Sequence, residues 1–231
     1  TEEPEAEVPV ARHLVDYIDR KAGHQLIPAE TYEGFDRLRP ERRTTKPVDN
    51  IGGGNVPVVM VSENADNAAR DEDASKADYI YVGSNLPKER KEGKRYVVDY
   101  QLYVQADDKS QLYPIFPVTA MPFVSRVQAK LKFLVLQFGT PADEYLACLK
   151  THPEIVVVCV SNHQNRLGSQ RALVHEMMIA GVENPVVFAQ MYRLNDVEEF
   201  QLEAAADMGA LMIDGLCDGI WLMNDGDIAP S

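Results

Sequence analysis

A succession of short apolar runs constrains this chain more than any other feature: Val58 to Val61, Tyr79 to Val82, Leu131 to Phe138, Ile155 to Val160, Val186 to Met191 and Leu211 to Ile213. Nearly all are rich in β-branched or aromatic residues, and they lack the polar alternation of a half-buried strand. Such runs are expected where strands are covered on both faces, as in a parallel sheet. Tyr96 to Val104 and Tyr113 to Met121 are less regular, and Asp99 and Gln101 give the first of them a more exposed face.

Helical patterns separate the later runs. Thr140-Pro141-Ala142-Asp143 offers an N-cap, a proline at the first helical position and an acid in the first turn, ahead of Tyr145, Leu146 and Leu149. A second helix is expected from about Asn165 to Gly181 through Leu173, Val174, Met177 and Met178. A third follows a cap at Asn195 or Asp196 and carries Val197, Phe200, Ala204, Ala205 and Met208. Alternating strand and helix predicts an α/β fold: a parallel-strand (β/α) barrel or barrel-like domain, with incomplete and degenerate forms included.

The first part of the chain reads differently. Ala11, Leu14, Val15 and Ile18 mark a helix over residues 1–24 that stops near Gly23, with no strand before it, as in a chain cut from something longer. Residues 25–55 lose periodicity and hold Pro28, Pro40, Pro47 and Gly52-Gly53-Gly54, a long connection whose glycines read as a linker. They match neither a dinucleotide fingerprint nor a P-loop. Residues 56–231 are the expected barrel-like domain.

A formal net charge of -13 over 231 residues argues against general nucleic-acid binding, which needs a basic surface. Basic residues gather at Arg37 to Lys46 and Lys88 to Arg95, in loop-like sequence that reads as solvated. After Arg193 there is no Lys or Arg, so the C-terminal segment presents acid. Cys148, Cys159 and Cys217 are widely spaced, which suggests a reducing, cytoplasmic setting and no metal centre. No run reaches transmembrane length and the acidic start is unlike a signal peptide, so no membrane partner is expected.

If the strands are parallel, their carboxyl ends present Ser62-Glu63-Asn64, Gly83-Ser84-Asn85, Ser161-Asn162-His163, Gln190 and Asp214. Asn162, His163, Gln190 and Asp214 are candidates for a ligand-binding rim, with His163 able to move a proton or simply to bond its neighbours. His175-Glu176 is not a zinc-protease motif, because Ile179 stands where a second histidine would be needed. Around Asp214, Gly215, Asp218 and Gly219 two readings stay open. The stretch is either a site at a strand's end, or a structural turn whose aspartates bond nearby amides.

Beyond these patterns, Pro185-Val186-Val187-Phe188, Leu202-Glu203-Ala204-Ala205 and Gly209 to Ile220 resemble the large insert of the 4-hydroxy-3-methylbut-2-enyl diphosphate synthase family in its three-domain form. Cys217 departs from the glycine usual at the middle of that family's turn, so a left-handed backbone is not expected there. Thr1 to Val8 and the following helix resemble the segment after the family's catalytic barrel. The resemblance is densest over residues 184–223 and thins between residues 20 and 130. It implies a parent oxidoreductase of isoprenoid biosynthesis that opens methylerythritol cyclodiphosphate with a 4Fe-4S cluster. It also implies that this chain is a non-catalytic bridge between the catalytic barrel and iron-sulfur domain of one parent chain. The family's cluster ligands have no counterpart here, and no catalytic, cofactor-binding or metal residue carries over. The alternative reading is an autonomous α/β enzyme or small-ligand domain that uses the polar rim.

Overall fold

Eight parallel strands close into a barrel in which every strand pairs with its neighbours in chain order and the last returns to the first. The computed structural model describes residues 7, 11, 27, 30–36, 38–62 and 76–226. The predicted N-terminal helix lies outside the described residues apart from Glu7 and Ala11, as do Glu63 and Asn64 of the proposed rim.

The strands are β1 (Val58–Ser62), β2 (Tyr79–Gly83), β3 (Tyr96–Asp99), β4 (Leu112–Phe116), β5 (Lys132–Leu136), β6 (Ile155–Cys159), β7 (Val186–Tyr192) and β8 (Gly219–Asn224). Closure is made where Val58, Val59 and Met60 of β1 lie opposite Gly219, Ile220 and Trp221 of β8. The connecting elements are α1 (Tyr100–Gln105), a 3-10 helix over Val118–Arg126, α2 (Ala142–Thr151), α3 (Arg166–Ile179) and α4 (Val197–Ile213). The helical ring is fullest after β5, β6 and β7.

Alternate strand residues enter two separate cores, as a period of two requires. Val58, Met60, Tyr79, Val97, Phe133, Val156, Val158, Val187 and Trp221 belong to the lumen. Their neighbours Ile80, Val98, Leu134, Val157, Cys159, Val186 and Phe188 pack outward with Tyr145, Leu173, Met177 and Leu211 of the helices. Burial on both sides explains why the strands read as continuous apolar runs.

Several sequence expectations need correction. Leu211 to Ile213 is the last turn of α4, not a strand, and the eighth strand is the later run through Ile220 to Met223. Tyr96 to Val104 splits into β3 and α1 at Asp99, and Tyr113 to Met121 into β4 and the 3-10 helix. Pro141 occupies the cap of α2 and makes no side-chain cap bond, while the Thr140 hydroxyl donates to the Gln137 carbonyl instead.

Nor do the glycines at 52–54 act as a linker. Val48 and Ile51 exchange main-chain hydrogen bonds, and both side chains join the lumen core, closing the barrel base. Gly52 and Gly53 have left-handed backbones that turn this plug back toward β1. The final part of the predicted 25–55 connection is therefore packed against the barrel.

Candidate functional site

At the carboxyl ends of β6 and β7, Asn162, His163, Arg166, Gln190 and Arg193 line an open cleft of about 520 Å³ that also includes Ser161, Gln164 and Met191. The loop after β6 is shaped by its own side chains. Ser161 Oγ accepts the His163 main-chain N–H at 3.2 Å, and His163 Nδ1 accepts that of Asn165 at 2.9 Å. Because Nδ1 is an acceptor, the neutral imidazole carries its proton on Nε2. Asn165 Oδ1 then accepts from Gly168 N–H at 2.8 Å and caps α3.

Arg166 follows at the first position of α3. Its guanidinium donates to Asp207 Oδ2 at 3.0 Å, lies 3.6 Å from Glu203 and sits 5.1 Å over the Tyr192 ring. The Tyr192 hydroxyl also donates to Asp207, at 3.2 Å. Gln190 is buried; its Nε2 donates to the Met191 carbonyl at 3.2 Å, and its Oε1 has no hydrogen-bond partner among the described residues. Asn162 donates over a long 3.4 Å to Gln137 Oε1.

Three of the four rim candidates thus share one cleft. The fourth, Asp214, lies at the opposite end of the barrel, where it ends α4 and forms an ion pair with Arg171 at 2.5 Å. The apolar run before it belongs to a helix that travels back to the strands' amino ends, so the aspartate marks the base, not the mouth. The pattern Phe200, Ala204, Met208, Leu211 continues the helical period through this run, and was the signal for it.

The turn after α4 is held by close packing and by hydrogen bonds. Gly215 is left-handed (φ 68°), and a Cβ there would lie 2.6 Å from Arg42 Cα. Asp218 is buried; it accepts Val186 N–H at 3.0 Å and the Thr45 hydroxyl at 3.0 Å. Next to it the buried Arg43 guanidinium donates to the carbonyls of Asn184 and Val182, at 3.0 and 2.7 Å. Burial pushes Arg43 down to about 10, partly offset by Asp218 and Glu183. Gly219 lets β8 approach β1, since a Cβ would lie 2.7 Å from the Val58 carbonyl oxygen.

A second polar cluster sits at the mouth, built from residues that the sequence scatters from β1 to β8. Asp99 ends β3 and accepts the Tyr81 hydroxyl at 3.1 Å and the Ser84 hydroxyl at 2.7 Å. Burial and the Asp99 carboxylate push Tyr81 up to about 12. Trp221 packs 5.0 Å from Tyr81 and donates to Ser62 Oγ at 3.0 Å. An acid closing the apolar Tyr96-Val97-Val98 was the available clue.

The cysteines do not fit an iron-sulfur cluster. Cys148 lies on α2, Cys159 inside β6 and Cys217 in the turn before β8, and burial raises all three thiols, Cys217 to about 11. Such thiols resist the deprotonation that ligation requires. Among the described residues no three His, Cys, Asp or Glu side chains are grouped to hold a metal ion, and no helix is long and apolar enough to cross a membrane.

No family model matches the chain, and no solved structure matches it. Among curated proteins it is 44% identical over 229 residues to 4-hydroxy-3-methylbut-2-en-1-yl diphosphate synthase (flavodoxin) of Bacteroides thetaiotaomicron, covering 99% of this chain and 37% of the relative. The synthase of the same name from Phocaeicola vulgatus is 46% identical, with the same two coverages. That of Porphyromonas gingivalis is 26% identical over 97% of this chain and 33% of the relative. The chain spans about a third of the length of these relatives, and nearly all of its own length corresponds to one segment of synthases of this name.

Proposed function

We propose that this chain is a non-catalytic structural segment of a synthase that reductively opens methylerythritol cyclodiphosphate with a 4Fe-4S cluster, in cytoplasmic isoprenoid biosynthesis. In that reading the cluster supplies electrons from an iron-sulfur domain of the same parent chain. The present barrel bridges that domain and the catalytic barrel, and takes no part in nucleic-acid or membrane binding.

The observation that carries the reading is the filling of the lumen. Tyr81, Val135, Val160 and Met223 pack onto the lumen core toward the carboxyl ends of the strands, where enzymes of this architecture place charged groups. A lumen packed with apolar side chains is a rigid scaffold, and the clasp of Arg43, Thr45 and Asp218 ties the chain before β1 to the barrel base. Force and position can pass through such a unit without any proton transfer in it.

Anaerobic reconstitution with iron and sulfide tests this directly. The chain is expected to stay colourless, to retain no stoichiometric iron and to show no synthase turnover. A bound cluster in the chain alone would overturn the proposal.

A further inference from the structure

We propose that the cleft between the ends of β6 and β7 binds a small hydroxylated anion, with a phosphate or carboxylate group at one end and a hydroxyl directed to Gln190. This goes beyond the scaffold role and stands on the cleft alone.

The hydroxyl is specified by an unmet acceptor. Gln190 is only 6% exposed and lines the cleft, yet its Oε1 has no partner among the described residues. A buried acceptor left this way costs about 1–3 kcal/mol, which a ligand O–H donor would recover.

The anionic end is specified by three kinds of donor. His163 has its Nδ1 occupied by Asn165 N–H, leaving Nε2 to donate. Arg166 is held in one orientation by Asp207 and by the Tyr192 ring, so little side-chain entropy is lost when it binds. Arg193 is 82% exposed and its bridge to Asp225 is long, 3.5 Å, so its guanidinium remains largely unengaged. The fourteen-residue α3 also begins here, and Asn165 takes up the amides of Gly168 and Ser169 while those of Arg166 and Leu167 lead the open end of the helix. Asp207 and Glu203 offset much of the positive charge, so affinity rests on the paired requirement and a dissociation constant on the order of 1 mM is expected.

Titration of the 231-residue chain, followed by amide chemical shifts, tests the site with four probes: glycerol 3-phosphate, glycerate, inorganic phosphate and glycerol. Glycerol 3-phosphate or glycerate should saturate the cleft resonances and bind about 10-fold more tightly than either phosphate or glycerol, a gain equal to one recovered hydrogen bond. The better of the two identifies the anionic head. Gln190→Met, close in volume, should erase the advantage over phosphate, and the exposed Arg193→Ala should weaken binding of both anions several-fold with the spectrum otherwise unchanged. Binding of neither glycerol 3-phosphate nor glycerate more tightly than phosphate and glycerol, no saturation by any probe, or indifference to both substitutions would overturn the proposal.

Discussion

The hydroxyl of Thr45 donates to Oδ1 of Asp218 at 3.0 Å, joining residues 173 positions apart across the barrel base. Gly53 N–H donates to the same Thr45 oxygen at 2.9 Å, so one side chain ties the plug to the turn before β8. Asp218→Ala strands the buried Val186 amide and leaves Arg43 without its neighbouring charge. Urea unfolding should show a loss of about 2–4 kcal/mol, against about 1–2 kcal/mol for Thr45→Val. The double variant should lose less than the sum, because both residues serve one contact.

Asp218 also predicts a pH dependence. Burial holds its carboxyl above the ordinary carboxylate range, despite bonds from Val186 and Thr45 and the nearby Arg43 and Arg42. The folded chain therefore keeps this proton to higher pH than the unfolded chain. Its contribution to stability falls as pH rises from about 4 through the folded value. The stability of the wild type relative to Asp218→Asn should decline over that window, as read by urea midpoints. A rising difference would contradict the assignment.

His175 titrates in the opposite sense. Its ring lies 5.4 Å from Tyr32 and 5.1 Å from Phe35, its Nε2 has no hydrogen-bond partner among the described residues, and burial followed by Arg171 lowers its pKa against the opposing main-chain bond to Glu30 and the Asp214 charge. The unfolded chain takes up this proton first, so stability is lost as pH falls from about 6.5 through the folded value. His175→Phe should flatten that part of the profile and change stability little at pH about 8, where the imidazole is neutral in both states.

Gly215→Ala tests the helix-terminating turn. The left-handed backbone and the 2.6 Å approach to Arg42 Cα leave no room for a methyl group. A loss of at least about 1–3 kcal/mol is expected in thermal or urea unfolding. An unchanged midpoint would show that the turn relaxes without penalty.

Much of the barrel was legible in the residues because the β6 and β7 runs, buried on both faces, have no polar interruption to confuse them. The same property lets Leu211 to Ile213, apolar in a row, mimic a strand, while its helical period is visible only from Phe200 onward. That displaced Asp214 from mouth to base. Asn162, His163 and Gln190 were legible as strand-end polar residues. Arg166 was not, because nothing local tells that Asp207, 41 positions later, holds it in place. The plug is hidden in the sequence for a related reason. Val48 and Ile51 are two isolated apolar residues in a Pro- and Gly-rich stretch, and only the closed barrel supplies the lumen they fill.

In the proposed scaffold role this segment contributes no proton-transfer chemistry. The most direct test of that role replaces the corresponding segment of the Bacteroides thetaiotaomicron synthase with this chain and measures turnover with and without Asp99→Asn, the carboxylate held by Tyr81 and Ser84 at the end of β3. A scaffold keeps kcat within about twofold of the unsubstituted chimera; a fall of ~100-fold in a folded, cluster-loaded chimera would contradict that role.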